Sequence, residues 1–285
     1  MPTRLMSTKA AETGPLITVQ GLSLQYRKTS LFSGSVSEVR PLENINLVVR
    51  RHVTLAIVGE SGAGKSSLAR CLAILERPSA GKILFDGQSL LELSRKELFP
   101  FRRAIQLVFQ DPTSSLNPRL TAAELISEPL VVQREGTTAF RDQRALELME
   151  QVGLRKSWSG KRPLEFSGGE RQRLAIARAL TLRPSVLIFD EALSSLDIEN
   201  QESILRLLAD LQAEQSLTYI HVSHDLQLLC DIADEIAVMH EGHIVEHKTA
   251  AALLEDQDDA YARELFAGRS SVESILMNRL AKTAP

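Results

Sequence analysis

The chain has 285 residues, 44% of them hydrophobic, and a formal net charge of −3 at pH 7. This length allows one large or two modest globular units with a buried core, and the weak acidic charge gives no reason to expect a nucleic-acid partner. The two cysteines, Cys71 and Cys230, lie far apart and have no neighbouring histidine cluster. We therefore expect neither a disulfide framework nor a structural metal site. We also expect the protein to lie in a reducing compartment.

Residues 1–13 are polar and predict an N-terminal tail without the apolar stretch of a secretion signal. No run approaches the roughly 20 apolar residues that a membrane-spanning helix requires. The next stretch, LITVQGLSLQY from Leu16 to Tyr26, alternates enough to predict a strand. The serine-rich KTSLFSGSVSEVRP that follows predicts a loop or a hairpin.

Short apolar runs alternate with helical patterns through the rest of the chain. Strands are predicted at VTLAIVG, KILFDG, AIQLVFQ, SVLIFD, TYIHVS and EIAVMH, and helices notably over Arg171 to Leu182 and Asn200 to Gln215. Such alternation favours an α/β fold with a largely parallel sheet. Mostly helical patterns between Asp111 and Glu165 predict a helical insertion into that fold. From about Ala250 the chain is again predicted to be helical.

The segment GESGAGKSS, residues 59–67, matches the pattern GxxxxGK[ST] between a predicted strand and a predicted helix. In such a loop successive backbone N–H groups point inward around phosphates, and only glycine tolerates the turns and the close approach. Lys65 would then reach the β- and γ-phosphates, and Ser66 would offer a hydroxyl to Mg²⁺. A glycine-rich turn without a ligand is the alternative. The strand before the loop and the helix after it favour nucleotide binding.

The apolar run SVLIFD ends in two acids, Asp190 and Glu191. Asp190, at the carboxyl end of the strand, fits the acid that orients Mg²⁺ beside a phosphate-binding loop. Glu191 would point in a different direction and could orient or deprotonate an attacking water. The alternative is an acidic pair that caps a helix or faces solvent.

Two further predicted strands end near polar side chains. Gln110 ends the run AIQLVFQ, and its amide could contact Mg²⁺ or the attacking water. His224 ends the run that includes TYIHVS and could donate a hydrogen bond to a γ-phosphate. A lone histidine more often has a structural or solvated role, so this prediction depends on the other motifs.

The segment EFSGGERQRLAIARAL begins a basic, amphipathic helix. Ser167 and Glu170 have the spacing of a capping box. Because helix N-termini also bind anions, Ser167, Gly168 and Gly169 could equally hold a phosphate. The segment by itself leaves both roles open.

Taken in order, GESGAGKSS, VFQDP, EFSGGERQR, VLIFDE, SSLD and VSHD resemble the nucleotide-binding subunits of ATP-binding cassette (ABC) transporters. The resemblance implies a P-loop NTPase core of the RecA-like type, an N-terminal antiparallel β subdomain and an inserted helical subdomain over about residues 111–166. It also implies a nucleotide-binding domain over residues 14–268, followed by a C-terminal tail at 269–285.

In this family the Ser-Gly-Gly segment of one subunit closes over ATP held by the P-loop of its partner, in a head-to-tail dimer. The resemblance therefore implies ATP and Mg²⁺ as cofactors and an ATPase coupled to transport. It assigns ATP contacts to Gly59, Glu60, Ser61, Gly62, Ala63, Gly64, Lys65, Ser66, Ser67, Ser167, Gly168, Gly169, Asp197 and Tyr26. It assigns Mg²⁺ to Ser66, Gln110 and Asp190, and catalysis to Glu191, His224 and Gln110. Tyr26 occupies the place of an aromatic that stacks on adenine, and a core tyrosine at a strand end is its alternative.

The segment VFQDPTSSLNPRLTA is similar to the ATPase subunits of dipeptide, oligopeptide and nickel importers. That similarity implies a peripheral subunit at the cytoplasmic face of the inner (plasma) membrane. Its partners would be transmembrane permease subunits, a second identical or related ATP-binding subunit and, indirectly, a solute-binding protein. The chain departs from that subfamily in two ways, because only Tyr261 remains of a His-Pro-Tyr motif and no cysteine-rich tail is present.

Two soluble functions are the alternatives to transport. One is a mechanical clamp of the kind found in translation factors and DNA-repair ATPases, and the other is an ATPase subunit of a phosphonate-degrading type of complex. The chain has a single cassette and no sustained heptads. Both features favour transport over the clamp.

Overall fold

A computed structural model describes residues 14–29, 36–194 and 196–267. The predicted tails, 1–13 and 269–285, lie outside the described residues. The described part contains two sheets and a set of helices between and around them. The predicted α/β fold with a largely parallel sheet and a separate antiparallel sheet is confirmed.

The central sheet has six strands in the order β10-β9-β3-β8-β7-β6. Strands β9, β3, β8, β7 and β6 are parallel, and β10 runs antiparallel to β9 at one edge. Their bounds are β3 Thr54–Val58, β6 Ile105–Val108, β7 Val186–Asp190, β8 Thr218–Ser223, β9 Glu235–His240 and β10 His243–Thr249. Every residue of β3, β7 and β8 is buried, because structure covers both faces of this sheet.

The second sheet is antiparallel, with the strand order β2-β1-β4-β5. Its bounds are β1 Pro15–Thr29, β2 Val36–Arg50, β4 Ala80–Phe85 and β5 Gln88–Ser89. Strand β1 is longer than predicted and pairs with β2 along its whole length. The serine-rich stretch therefore includes strand residues at both ends, and residues 30–35 between them lie outside the described residues.

Nine helices of the described residues have the bounds α1 Lys65–Leu72, α2 Phe99–Ala104, α3 Pro112–Ser115, α4 Ala122–Val132, α5 Thr138–Gln151, α6 Gly168–Leu180, α7 Ile198–Gln215, α8 Leu226–Cys230 and α9 Ala250–Glu255, and residues 260–267 are also helical. Helix α6 begins three residues earlier than predicted, and α7 begins two residues earlier. In both cases the preceding side chain, Ser167 or Asp197, accepts a hydrogen bond from the first turn and so fixes the start of the helix.

Three apolar clusters join these elements. The first packs the antiparallel sheet against α1 and one face of the central sheet, and the second packs α4, α5, α6 and α7 against the other face. The third packs residues 262–266 and α9 beside β3 and β9. Among the described residues, no helix combines the length and the hydropathy needed to cross a bilayer.

The parallel strands place the predicted site residues together. The carboxyl ends of β3, β6, β7 and β8 lie along one edge of the sheet, which is where ligands bind in open α/β folds. Gly59, Gln110, Glu191 and His224 follow these four strands within two residues. The fold therefore brings to one edge residues that lie up to 165 positions apart in the chain.

Candidate functional site

The loop from Gly59 to Gly64 joins β3 to α1, and neighbouring backbone packs closely against its two end glycines. Gly59 and Gly64 have φ angles of 152° and 100°. A Cβ atom on Gly59 would lie 2.1 Å from the Met239 carbonyl oxygen, and one on Gly64 would lie 2.1 Å from the Pro41 carbonyl oxygen. Only glycine fits at these two positions. Strands β9 and β2 thus pack against the loop and leave room only for its curved backbone.

Lys65 is the first residue of α1 and is only 4% exposed. Its Nζ donates hydrogen bonds to the carbonyl oxygens of Gly59 and Glu60, each at 2.8 Å. Burial lowers the pKa of Lys65, and the nearby carboxylates of Glu191 and Asp190 oppose that shift. The ammonium group is therefore held at the loop by hydrogen bonds to two carbonyl oxygens.

Ser66 and Asp190 contact each other across the sheet edge. The Ser66 hydroxyl donates a hydrogen bond to Asp190 Oδ1 at 2.6 Å. Asp190 ends β7 and is 8% exposed, and this burial raises the pKa of its carboxyl, while the Ser66 hydrogen bond opposes the rise. No group of three or more His, Cys, Asp or Glu side chains in the described ranges could hold a metal. A hydroxyl beside one carboxylate fits Mg²⁺, which commonly takes one or two protein oxygens and completes its shell with substrate phosphates and water.

Glu191 has a left-handed backbone, with φ of 50°. The cost of this conformation in a non-glycine residue is about 1–2 kcal/mol, and backbone hydrogen bonds hold it. Glu191 N donates to the Val222 carbonyl at 2.8 Å, and the Glu191 carbonyl accepts from Ser194 Oγ at 2.8 Å. The turn separates the side chains of Asp190 and Glu191, so that two adjacent acids have different partners. Such a strained residue at a strand end is typical of a functional position.

Three predicted site residues from three strand ends meet at the Glu191 carboxylate. Gln110 Nε2 donates to Glu191 Oε2 at 3.0 Å, and His224 Nδ1 lies 3.4 Å from Glu191 Oε1. The Glu191 side chain is 17% exposed and that of His224 is 57% exposed. The carboxylate is thus held between an amide and an imidazole, beside the Ser66–Asp190 pair. This arrangement can orient a water molecule and accept its proton.

Ser167 caps α6 in a complete capping box. Its Oγ accepts from Glu170 N at 3.3 Å, and Glu170 Oε2 accepts from Ser167 N at 2.8 Å. Within the described residues the hydrogen bonds of Ser167 stay at this helix start, so the structure does not bring it to the loop of its own chain. Ser167 and Gly168 are exposed and leave the helix end accessible.

Asn200 connects this helix start to Asp197, a link that the sequence does not predict. A Cβ atom on Gly169 would lie 2.3 Å from Asn200 Oδ1, so the two are in close contact. Asn200 also donates from its backbone to Asp197 Oδ1 at 2.9 Å and from its side chain to Asp197 Oδ2 at 2.8 Å. These hydrogen bonds lower the pKa of Asp197. The spacing of Asp197 and Asn200 predicts the helix cap but not the contact with Gly169.

Tyr26 lies in β1, partly buried against the first apolar cluster. Its hydroxyl donates a hydrogen bond to the Glu76 carboxylate, and burial raises the pKa of the phenol. The structure thus shows the tyrosine packed at the edge of the apolar cluster, and its stacking on adenine stays a prediction.

Known proteins with similar sequences show the family of this chain. The sequence profile of the ABC transporter family matches residues 42–194. The chain is 43% identical over 253 residues to a probable peptide ABC transporter ATP-binding protein of Sinorhizobium fredii, covering 88% of this chain and 72% of the relative. It is 38% identical over 262 residues to the dipeptide transport ATP-binding protein DppF of Haemophilus influenzae, covering 92% and 80%.

Solved structures agree with these relatives. A dimeric ATP-binding cassette in a post-hydrolysis state with ADP and phosphate superposes with a TM-score of 0.73 at 29% identity, covering 82% of this chain and 98% of that one. The protein cbiO1 of Clostridium perfringens, part of an ABC transporter complex, superposes with a TM-score of 0.72 at 28% identity, covering 85% and 92%. The chain belongs to the ABC transporter family, and it is an ATP-binding subunit that hydrolyses ATP.

Proposed function

We propose that this chain is the subunit that energises import of a peptide-like solute through a separate membrane permease. The observation that carries the proposal is the meeting of Gln110, Glu191 and His224 beside Ser66 and Asp190, which is suited to hydrolysis of a bound nucleotide. The solute class is supported by the relatives, whose names refer to peptides and dipeptides. Those names favour transport over a soluble clamp or a phosphonate-degrading complex.

Separate groups of residues would bind the phosphates, hold Mg²⁺ and activate the attacking water. The N–H groups of residues 59–67, apart from that of Glu60, which donates to Tyr261, and the Lys65 ammonium would hold the phosphates of ATP. Ser66 and Asp190, joined by a hydrogen bond, would hold Mg²⁺, and Gln110 would contribute its amide oxygen. When bound, Mg²⁺ neutralises charge on the phosphates. Glu191 would orient and deprotonate the water, Gln110 and His224 would keep its carboxylate in place, and His224 would also donate a hydrogen bond to the γ-phosphate.

A second ATP-binding subunit would complete the site. Ser167, Gly168 and the buried Gly169 would present the start of α6 to the γ-phosphate in the partner's loop, where the helix dipole favours an anion. Asp197 would link the two sites, because Asn200 joins it to Gly169 within each subunit. Support comes from the dimeric cassette described above. The partner would be a copy of this chain or a related one.

A cavity of about 440 Å³ is the proposed docking place for a cytoplasmic helix of the permease. Its wall includes Leu75, Phe99, Phe109 and Val132, which are exposed apolar side chains, and the ion pair of Glu128 with Arg178 at 2.8 Å. Phe109 directly precedes Gln110, whose amide contacts Glu191. A helix seated in this cavity would therefore lie one residue from the catalytic cluster. The chain would accordingly sit as a peripheral subunit on the cytoplasmic face of the membrane.

Replacing Val132 with Asp is expected to abolish co-purification with the permease while leaving ATP binding by the isolated chain unchanged. Val132 is 71% exposed at the end of α4, so the change places a charge in the apolar cavity wall at little cost to folding. Leu254→Asp is the matched control, since Leu254 is an exposed apolar residue on α9 outside the cavity. Equal recovery of permease by both variants would contradict this docking place.

The proposal itself is tested by affinity purification of the tagged chain from detergent-solubilised membranes, followed by mass spectrometry. We expect a multi-spanning permease in stoichiometric amounts. Recovery of soluble enzymes alone, from membranes and cytosol alike, would favour the phosphonate-degrading type of complex and contradict import.

A further inference from the structure

The helical stretch 260–267 reaches the phosphate-binding loop through one side chain. Tyr261 Oη accepts a hydrogen bond from the backbone N–H of Glu60 at 3.0 Å, although the two residues lie 201 positions apart. Glu60 directly follows Gly59 in the loop. Nothing in the catalytic arrangement described above uses this contact.

Tyr261 is fixed in place by its own surroundings. Its ring stacks on His240, the last residue of β9, with a centroid distance of 3.9 Å and an interplanar angle of 24°. Asp259 Oδ1 accepts from the backbone N–H groups of Tyr261 at 2.8 Å and Ala262 at 3.3 Å, which starts the helical stretch. Ala262 and Phe266 are buried in the third apolar cluster. The position of the Tyr261 hydroxyl beside Glu60 is therefore fixed by the packing of the helical stretch 260–267.

A second set of contacts attaches the turn before this stretch to β10. The buried Glu246 carboxylate accepts from the backbone N–H groups of Asp258 at 3.0 Å and Asp259 at 3.3 Å. Lys248 Nζ lies 2.8 Å from Glu246 and 2.7 Å from Asp258. Strand β10 follows the hairpin turn in which Gly242 N donates to the Ala63 carbonyl at 3.1 Å. The hairpin and the helical stretch thus hold the loop together from its outer side.

Both backbone polar groups of Glu60 are engaged. Its N–H donates to Tyr261, and its carbonyl accepts from Lys65 Nζ at 2.8 Å. Burial raises the pKa of the Tyr261 phenol, so the oxygen is that of a neutral acceptor at neutral pH. Because Glu60 itself is exposed, its N–H would turn to water if the hydroxyl were removed. The loop would then gain freedom that ATP binding would have to remove.

We propose that Tyr261 is a positioning residue that preorganises the phosphate-binding loop for ATP by holding the Glu60 peptide. It acts through Glu60 and Lys65 and does not touch the nucleotide. This role concerns ATP affinity alone, so it does not depend on the proposed import.

Tyr261→Phe in the full chain tests the proposal, because it removes the hydroxyl and keeps the ring. We expect the dissociation constant for a non-hydrolysable ATP analogue with Mg²⁺, measured by titration calorimetry, to rise roughly fivefold, which is the effect of one hydrogen bond. The KM for ATP should rise by the same factor. The kcat at saturating ATP should stay within about twofold, because a loop ordered by bound ATP no longer needs the hydroxyl.

Tyr219→Phe is the matched control, since the Tyr219 hydroxyl donates to the Leu208 carbonyl at 2.8 Å inside the core, away from the loop. It should lower thermal stability without changing the dissociation constant. His240→Ala removes the stacking partner and should weaken ATP binding in the same direction as Tyr261→Phe. If Tyr261→Phe and His240→Ala both bind the analogue as wild type does and lose only thermal stability, Tyr261 merely stabilises the helical stretch and the proposal is wrong. A fall in kcat at unchanged KM would also contradict it.

Discussion

Replacing Glu191 with Gln should slow ATP hydrolysis by at least about a hundredfold, which is the contribution typical of a general base. Gln keeps the size of Glu191, so the contacts with Gln110 and His224 can persist in altered form while the negative charge and the proton acceptor are lost. ATP binding should stay near wild type, because Lys65, Ser66 and Asp190 are unchanged. Bound ATP should therefore persist and the variant should accumulate as a closed dimer.

Phosphate release and size-exclusion chromatography with ATP measure these two effects. Glu214→Gln, an exposed carboxylate near the end of α7, serves as the control and should hydrolyse ATP as wild type does. Near-normal turnover of Glu191→Gln would remove Glu191 from the role of base. Loss of ATP binding together with turnover would show instead that its charge supports the loop.

Ser167→Arg has the second large expected effect, a loss of roughly a hundredfold in ATP hydrolysis with unchanged ATP binding by the isolated subunit. A bulky cation at the exposed start of α6 would block the approach of a partner's loop, and misplacement of about 1 Å at a site can cost that much. The loop of the same chain is untouched, since Ser167 bonds only at its own helix start within the described ranges.

Loss of the helix cap is a separate effect of this substitution and costs about 1 kcal/mol. Thr121→Arg controls for it, because Thr121 caps α4 in the same kind of box with Glu124. Both variants should lose similar stability, and only Ser167→Arg should lose the steep dependence of activity on protein concentration. Full activity of Ser167→Arg would contradict completion of the site by a second subunit.

The positions of several candidate site residues were predictable from local spacing in the sequence. The loop at 59–67 and the pair Asp190 and Glu191 each combine an apolar run with polar residues directly after it, and parallel strands place such residues at one sheet edge. Their mutual contacts were not predictable. Gln110 and His224 both contact Glu191 because of the strand order. Residue spacing in a single sequence does not reveal which strands are neighbours.

Features that depend on tertiary contacts escaped prediction. Strand β2 was hidden because Pro41 and the left-handed Asn44 interrupt its alternation, and its pairing with β1 shifts register several times. The left-handed turn at Glu191 is held by Val222 on a neighbouring strand. The contacts of Asn200 with Gly169 and of Tyr261 with Glu60 join segments distant in the chain. Each requires the packed fold, and sequence spacing carries no signal for it.

Uptake of labelled solutes by cells that lack this gene tests the account most directly. The panel should contain dipeptides, longer peptides and Ni²⁺, the solute classes that the subfamily resemblance implies. We expect that deletion abolishes uptake of a peptide-like solute, and that the wild-type gene restores it while Glu191→Gln at equal expression does not. Unchanged uptake of every solute after deletion would contradict the claim that this ATPase drives import.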